Sequence, residues 1–462
     1  MSDIDSFHKS IAGDVVTPSD ADYETAIKRW ALNATRRAAV VVFVKSTDDI
    51  AKTLQYARAM RLPLAIRGGG HNPAGASSVE GGIVIDLSRY FAGARVDSEK
   101  KVAYVQGGAI WGTVDSAAAE HGLAAVGGTV NSTGVGGLTT GGGFGFLTGE
   151  HGLVVDNLVQ ATVVIADGSV VTTSPTEHAD LFYGIRGGGS NFGIVTEFVY
   201  RLHDQKNTVF GGMVIFNPDK LEALAKEFEE WWPHAGPKEC VACVFGRAPD
   251  YSPAIVLVTF YNGSKAEGEK ITKRFTDIGP IADLRHDMPY KDMNTLMNAI
   301  AVEGRCCWMR GVLMNDVPRM FTREAFDAVI AASESREFEA ALIFEFLPQG
   351  KVNSVPATET PYCRRLPGNV LAMIQWDKDT PENAAKGLEI ADKLTAHVKV
   401  AGQAYGNYSP DAGVLPTVEG PAKRNRAKEL FRDHYPKMQE IKRKYDPDVI
   451  FNRWFAIEPV KA

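Results

Sequence analysis

The residue with the clearest chemical potential is His71, set in the run RGGGHNPAG at 67–75. Three glycines precede it, and the strand-like LPLAI leads into it. An imidazole in a glycine-flanked turn lies open to a ligand. In its neutral form it is a competent nucleophile toward an electrophilic carbon. A loop histidine is more often a bland surface residue, so its neighbours decide. Arg67 adds positive charge, and Gly68, Gly69 and Gly70 let backbone amides approach a phosphate.

Two further glycine clusters follow. The run GGTVNSTGVGGLTTGGGFGFLTGEHGLVVDNL at 127–158 is punctuated by Thr129, Ser132, Thr133, Thr139 and Thr140, which add hydroxyl donors to the amides. The run LFYGIRGGGSNFGIVTEF at 181–198 joins a glycine loop to a strand. Of 45 glycines, 28 lie between Gly68 and Gly193. Glycine disfavours regular elements, so such density needs a reason. Three loops of bare backbone suit a pyrophosphate joined to a flat ring system. Neither GxGxxG nor GxxxxGK[ST] occurs, which counts against a nicotinamide Rossmann domain and a P-loop.

The cysteines are less informative. Cys240 and Cys243 form a CxxC, but ECVACVF reads as a strand, in which the two thiols point to opposite faces. Vicinal Cys306 and Cys307 read as structural in the same way. Five sparse cysteines do not make a disulfide framework, and no metal site is expected.

The elements that must position these loops are short. GGIVIDLS (81–88), KVAYVQG (101–107), LVQATVVIADGSVV (158–171) and FGIVTEFVYRL (192–202) read as strands. Ile50, Leu54, Ala57 and Met60 recur at helical spacing over 47–60, with Thr47 or Asp48 as N-cap. Trp111 to His121 is another helix. This is an α+β pattern without the strict βαβ alternation of a Rossmann domain. After HDQKNT (203–208) glycine becomes ordinary, and strands alternate with amphipathic helices such as 219–232 and 322–332. Polar-faced antiparallel strands backed by helices are expected there. The tail carries YGNYSPDAG, a basic helix over 421–445, and YDPDVIFN.

Taken in order, RGGGHNPAG, GGIVIDLS, VQGGAIW, the run ending GLVVDNL, DLFYGIRGGGSNFGIVTEF and the terminal YGNY with KYDPDVIFN resemble the berberine-bridge-enzyme-like flavoprotein oxidases. These belong to the vanillyl-alcohol-oxidase type of fold, with a PCMH-type FAD-binding domain. The resemblance runs from about Trp30 to Ile457. It implies an FAD-binding domain at 1–204 (core about 36–204), an inserted substrate domain of antiparallel sheet backed by helices at 205–402, and a segment at 403–462 returning to the first domain.

The resemblance also assigns roles. His71 matches the histidine joined to the flavin 8α-methyl. Many members add a bond from a cysteine to flavin C6. That position is Val130 here, so single attachment is expected. A histidine near the flavin pyrimidine is replaced by Leu138, and the position that gates oxygen matches Thr133. Cofactor contacts are further expected at Arg67, Gly68, Gly69, Gly70, Asn72 and Gly75. The second loop adds Gly128, Thr129, Gly134, Gly137 and Thr139, then Gly142, Gly143, Gly145 and Asp156. Val195 follows on the third.

Tyr405 matches a tyrosine beside the flavin and is the candidate base. That role needs a pKa below the usual value near 10. Asn407, two residues on, shares its face in an extended strand. Tyr408 is assigned to the cofactor side, with packing as its competing role. In ATETPYCRRLPG (357–368), Tyr362 is a second pocket phenol. Arg364 and Arg365 could pair with a carboxylate substrate or with surface acids. Glu345 and Gln375 lie on strand-like runs that could face the flavin.

The implied reaction is removal of hydride from a small alcohol or amine to flavin N5, the substrate being a sugar, secondary metabolite or alkaloid, with O2 as reoxidant. A dehydrogenase or oxidative cyclase that does not use O2 is the alternative within enzymes, and a flavin-binding protein without turnover the alternative outside them. A net charge of -6 calls for neither nucleic acid nor an acidic membrane surface. The longest tight apolar run, 38–44, is too short to span a bilayer. A polar N-terminus reads as cytoplasmic.

Overall fold

Val40–Phe43 is buried at all four positions, as a strand covered on both faces must be. In the computed structural model it lies inside a four-stranded sheet ordered Asp14–Val16, Val40–Phe43, Ile83–Asp86, Leu64–Arg67. Val40, Val42, Ile83 and Ile85 enter one apolar cluster and Val41, Phe43 and Val84 another, on the period of two that a pleat imposes. Ile83–Asp86 is parallel to both Val40–Phe43 and Leu64–Arg67. The segment from Val40 to Arg67 is thus one strand–helix–strand crossover. It is a local exception to the expected lack of alternation, and it delivers the chain to His71. The structure describes residues 2–314, 317–364, 368–398, 405–410 and 426–460.

The crossover helix, Thr47–Ala59, is capped one residue earlier than expected. Ser46 is extended, and its hydroxyl accepts from the Asp49 amide at 3.1 Å. The buried Asp49 carboxylate cannot cap, because it accepts from the amides of Ala12, Gly13 and Lys45 and so pins the N-terminal strand.

A second sheet, wholly antiparallel, has the order Ala94–Asp97, Val102–Gln106, Ile194–Arg201, Leu158–Val164, Val170–Thr173. The single apolar run read over 158–171 is a hairpin, turned at Asp167–Ser169. Gly193 opens the central strand at φ +153°. A Cβ there would lie 2.6 Å from Val163 and 2.8 Å from the Val164 carbonyl.

From Val209 onward the chain builds an eight-stranded antiparallel sheet whose last described strand is Asn369–Trp376. On this partition we propose a domain boundary at 204/205. The second expected boundary, 402/403, lies outside the described residues. One face of this sheet, with Cys243, Leu342, Phe344 and Ile374, packs on Leu224 and Phe228 of the helix Leu221–Trp231. The other carries Cys240, Met309, Ile343 and Met373 and joins the core of the first domain. The face expected to be polar is therefore apolar, because it is buried against the glycine loops. Cys240 and Cys243 do fall on opposite faces, as do Cys306 and Cys307. Among the described residues no group of three His, Cys, Asp or Glu side chains could hold a metal ion, and no helix is long and apolar enough to cross a membrane.

The expected single basic helix at 421–445 is Arg426–Phe431, a 3-10 turn and Tyr435–Tyr445, with 421–425 outside the described residues. Its buried Lys442 donates to Asp446 at 2.6 Å and to the carbonyls of Asn191 and Phe451, both at 2.7 Å. Asn191 in turn donates to the Trp454 carbonyl at 3.0 Å. The terminal YDPDVIFN motif is thereby a clamp on the third glycine loop.

Candidate active site

The three glycine loops meet the apolar face of the large sheet around one cleft, which encloses roughly 1660 Å³ with its mouth included. The loops can converge because they lack side chains. A Cβ on Gly69 would sit 2.5 Å from Gly134 Cα, and one on Gly134 would sit 2.5 Å from the Gly69 nitrogen. The first and second loops therefore touch backbone to backbone. Gly137 is different: nothing lies within 4 Å of its would-be Cβ, which would project into the cleft.

His71 forms part of the cleft wall. Its ring stacks on Trp30, with centroids 4.3 Å apart and planes 18° from parallel. Burial pushes its pKa down to about 4, so the imidazole is neutral at neutral pH. Its Nε2 is buried and has no hydrogen-bond partner among the described residues. Trp30 was not expected here. Only its aromatic character, far from the glycine runs, could have signalled it.

Of the expected cofactor positions, Gly68, Gly69, Gly70 and Asn72 line the cleft with His71. So do Gly128, Thr129, Val130, Thr133, Gly134 and Gly137, and also Leu138, Val195 and Tyr408. Others stand behind it. Arg67 is bound to Asp86 at 2.9 Å, so its charge is already met within the protein. Gly75 closes the first loop, its amide on the Asn72 carbonyl. Thr139 is buried and shares a hydrogen bond of 2.7 Å with Tyr200. Gly142, Gly143 and Gly145 are packed against Tyr362, Val154 and Gly127 respectively, where a Cβ would collide. Asp156 accepts from the Leu153 amide and pairs with fully buried Arg364. That pair removes Arg364 as a ligand for a substrate carboxylate. Arg365 lies outside the described residues.

Tyr405, Asn407 and Tyr408 come from the returning segment, as a 3-10 turn at Gly406–Tyr408 rather than an extended strand. The turn still brings the first two together: Asn407 Nδ2 donates to the Tyr405 hydroxyl at 2.8 Å and to the Gly137 carbonyl at 3.2 Å. Tyr405 packs on Phe144 and Tyr408, at centroid distances of 4.8 and 5.0 Å. The depressed pKa that a tyrosine base needs is not found. Burial and the nearby Tyr362 push the Tyr405 phenol up, and Asn407 only partly offsets them. Tyr362 reaches a small side cavity rather than the main cleft.

Glu345 projects from the strand Phe338–Phe346 into the cleft, on the side that Ile343 also faces. Its Oε1 accepts from the Tyr408 hydroxyl at 2.9 Å, and its Oε2 is buried without a hydrogen-bond partner among the described residues. Burial pushes this carboxyl up to about 8, and the Tyr408 hydrogen bond offsets the shift only in part. Gln375 shares a face with Met373 but hydrogen-bonds the Val302 carbonyl and does not reach the cleft. The rest of the large sheet's side is apolar: Met297, Ile300, Met309, Ile343, Leu371 and Met373. These were not singled out in the sequence, because alternating apolar residues on a strand look the same in a core as in a pocket wall.

The residues present suit FAD. Bare backbone from three loops faces the cleft, and a neutral imidazole with a partnerless nitrogen stands in its wall. Among the described lining residues there is no lysine or arginine. Phosphate charge would therefore fall to backbone amides.

Comparison with known proteins agrees. Residues 38–174 match the family model described as "FAD binding domain". The chain is similar to the FAD-linked oxidoreductase pgmH of Aspergillus terreus, at 34% identity over 99% of this chain and 96% of that one. Its structure superposes on crystalline 6-hydroxy-D-nicotine oxidase from Arthrobacter nicotinovorans with a TM-score of 0.86, at 26% identity, covering 98% and 99% of the two chains. It superposes on BBE-like 1 of Physcomitrella patens with a TM-score of 0.82, at 21% identity over the whole of both chains. With its glycine cradle, mixed α+β architecture and relatedness along its whole length, the chain belongs to the FAD-linked oxidoreductases, built on the PCMH-type FAD-binding fold that it shares with BBE-like 1.

Proposed function

We propose that this oxidoreductase is an oxidase of a small, largely apolar alcohol or amine, and that it carries FAD through a single covalent bond from His71. The observation that carries this reading is the neutral His71 imidazole, held by Trp30 at the cleft wall with a nitrogen that nothing else engages. Val130, which lines the cleft, cannot form a thioether, so one attachment is the maximum at these two positions. FAD bound there supplies the hydride acceptor, with O2 restoring its oxidised state. The similarity to an oxidase of 6-hydroxy-D-nicotine over 98% of the chain supports O2 in that role.

The chain's own residues bind, orient and exclude water. The glycine loops hold the cofactor through main-chain amides. Stacking on Trp30 fixes the plane of the His71 ring, and such positioning is worth large factors in rate. Tyr405, with its proton retained and Asn407 holding its oxygen, serves as a hydrogen-bond donor to a substrate oxygen or nitrogen. Tyr362 packs behind it, with ring centroids 6.2 Å apart, and fixes its orientation.

Cleft composition bears on substrate class. Among the described residues, polar groups from the large sheet and the returning segment at the cleft are few: Glu345, Tyr405, Asn407, Tyr408 and the indole of Trp454. A sugar on the methionine-rich wall would leave several hydroxyls unpaired, at about 1–3 kcal/mol each. An aromatic or aliphatic body with one hydroxyl or amine fits the same wall without that cost.

The test is acid precipitation of the purified protein. Yellow colour should stay in the pellet for the wild type and move to the supernatant for His71→Ala. Colour released from the wild type would refute covalent attachment. Reduced enzyme should reoxidise in air faster than free flavin, and equal rates would remove O2 as the reoxidant.

A further inference from the structure

Glu345 stands between two cavities. One is the main cleft. The other lies farther along the same face of the sheet, beside Leu347, and offers roughly 20 Å³, room for about one water molecule, with walls that include Thr148, Gln349, Tyr362 and Asn369. Half-buried Gln349 lies at its outer end, beside exposed Gly350. Among the described residues no other carboxylate lines either space.

A carboxyl in this position is poor structural material. Its Oε2 is buried without a hydrogen-bond partner among the described residues, and such a group costs stability unless it is protonated. An apolar residue would continue the wall that Ile343 begins. The remaining contact is directional: Tyr408 lines the main cleft, and its hydroxyl gives its hydrogen to Glu345 Oε1. The oxygen of Tyr408 is then left to accept from a group in the cleft. Cleft, Tyr408, Glu345 and side cavity form one continuous line of proton-bearing groups.

We propose that Glu345 is the proton exit of the active site: it takes up, through Tyr408, the proton that leaves a substrate hydroxyl or amine in the main cleft, and it passes that proton to water in the side cavity. This rests on the reading that the main cleft holds cofactor and substrate.

The balance is simple. A substrate O–H or N–H bond breaks heterolytically and its electron pair stays on the substrate atom. The proton joins the Tyr408 oxygen as Tyr408 gives its own proton to the Glu345 carboxylate. The carboxyl then turns about its Cγ–Cδ bond, so that the new O–H faces the side cavity, loses that proton to water and returns to its starting charge. Nothing is oxidised or reduced in this relay. A carboxyl that titrates at about 8 exchanges protons readily in either direction near neutrality. The groups facing it are phenols and a thiol: Tyr408, Tyr405 and Tyr362 on one side, and Cys240 from the neighbouring strand. All are pushed up by burial and hold their protons through the same range. The Arg364–Asp156 ion pair lies beyond Tyr362.

Infrared difference spectroscopy on the oxidised holoenzyme tests this without turnover. A protonated-carboxyl band should titrate with a midpoint near the value of about 8 and vanish in Glu345→Gln. Transfer to heavy water should shift the band quickly in the wild type. In Asn369→Leu, which fills the side cavity, the shift should be at least about tenfold slower. A band unaffected by Glu345→Gln, or exchange at the wild-type rate in Asn369→Leu, overturns the proposal. With 4-nitrophenol as a hydroxyl probe, bound phenolate should form in the wild type and in Tyr405→Phe but not in Glu345→Gln. The opposite pattern would assign the proton to Tyr405 and overturn the proposal as well. Flavin retained in the acid pellet of these variants keeps failure here separate from failure of the cofactor reading.

Discussion

Gly69→Ala perturbs the point where two loops meet. The added Cβ would lie 2.5 Å from Gly134 Cα and 2.7 Å from its nitrogen. Ordinary carbon contacts begin near 3.5 Å, so the loops must part by about 1 Å. Both neighbours are backbone, and no side chain can swing aside. Overpacking of this kind costs about 1–3 kcal/mol. The loss of glycine's freedom in the unfolded chain returns about 0.4–1 kcal/mol. The net destabilisation is therefore at most about 2.6 kcal/mol, visible as a lowered urea midpoint with unchanged slope. The functional effect should be larger. His71 is two residues away, and displacement of a reacting group by about 1 Å costs on the order of 100-fold in rate. The assay is the time course of flavin attachment to apoprotein supplied with FAD, read as colour in the acid pellet. Slowing of that size with a modest loss of stability is expected. Attachment at the wild-type rate would mean that the Gly69–Gly134 contact does not set the position of His71.

Other substitutions separate the remaining roles. Gly137→Ala meets no protein atom within 4 Å and sits in the short helix Val135–Thr140, so apoprotein stability should hold or rise by up to about 1 kcal/mol; FAD uptake should fall, and unchanged uptake would show that the cofactor passes elsewhere. Arg364→Met strands the buried Asp156 carboxylate and should cost about 3–5 kcal/mol in chemical unfolding; a cost below about 1 kcal/mol would mean that the pair is solvated. Glu345 keeps its proton up to about pH 8 when folded, against an ordinary 4.5. Between those values the unfolded chain binds fewer protons, so wild-type apoprotein should lose stability as pH rises through that window. Glu345→Gln should remove that slope, and identical pH dependence would place the titration on another group.

The glycine loops and the place of His71 among them were legible in the sequence because their character is local, whereas Tyr405 with Asn407 was reached through the family resemblance. A glycine run announces bare backbone wherever it folds. The apolar run in GGIVIDLS likewise announced a strand. What lay beyond local chemistry was which groups meet across the fold. Arg67 and Arg364 read as positive charge available to a ligand, yet each is bound to a carboxylate, Asp86 or Asp156. Trp30 and Met373 were not singled out, yet Trp30 stacks on His71 and Met373 lines the cleft. Glu345 and Gln375 both read as strand residues that could face the cofactor, and only the sheet's position over the loops places Glu345 between two cavities, with Oε2 unpartnered among the described residues, and Gln375 away from the cleft. Residue type and spacing set what a side chain can do over a few neighbours. Charge pairing, burial and the pKa values that follow depend on partners hundreds of residues away, and those exist only once the sheet closes over the glycine loops.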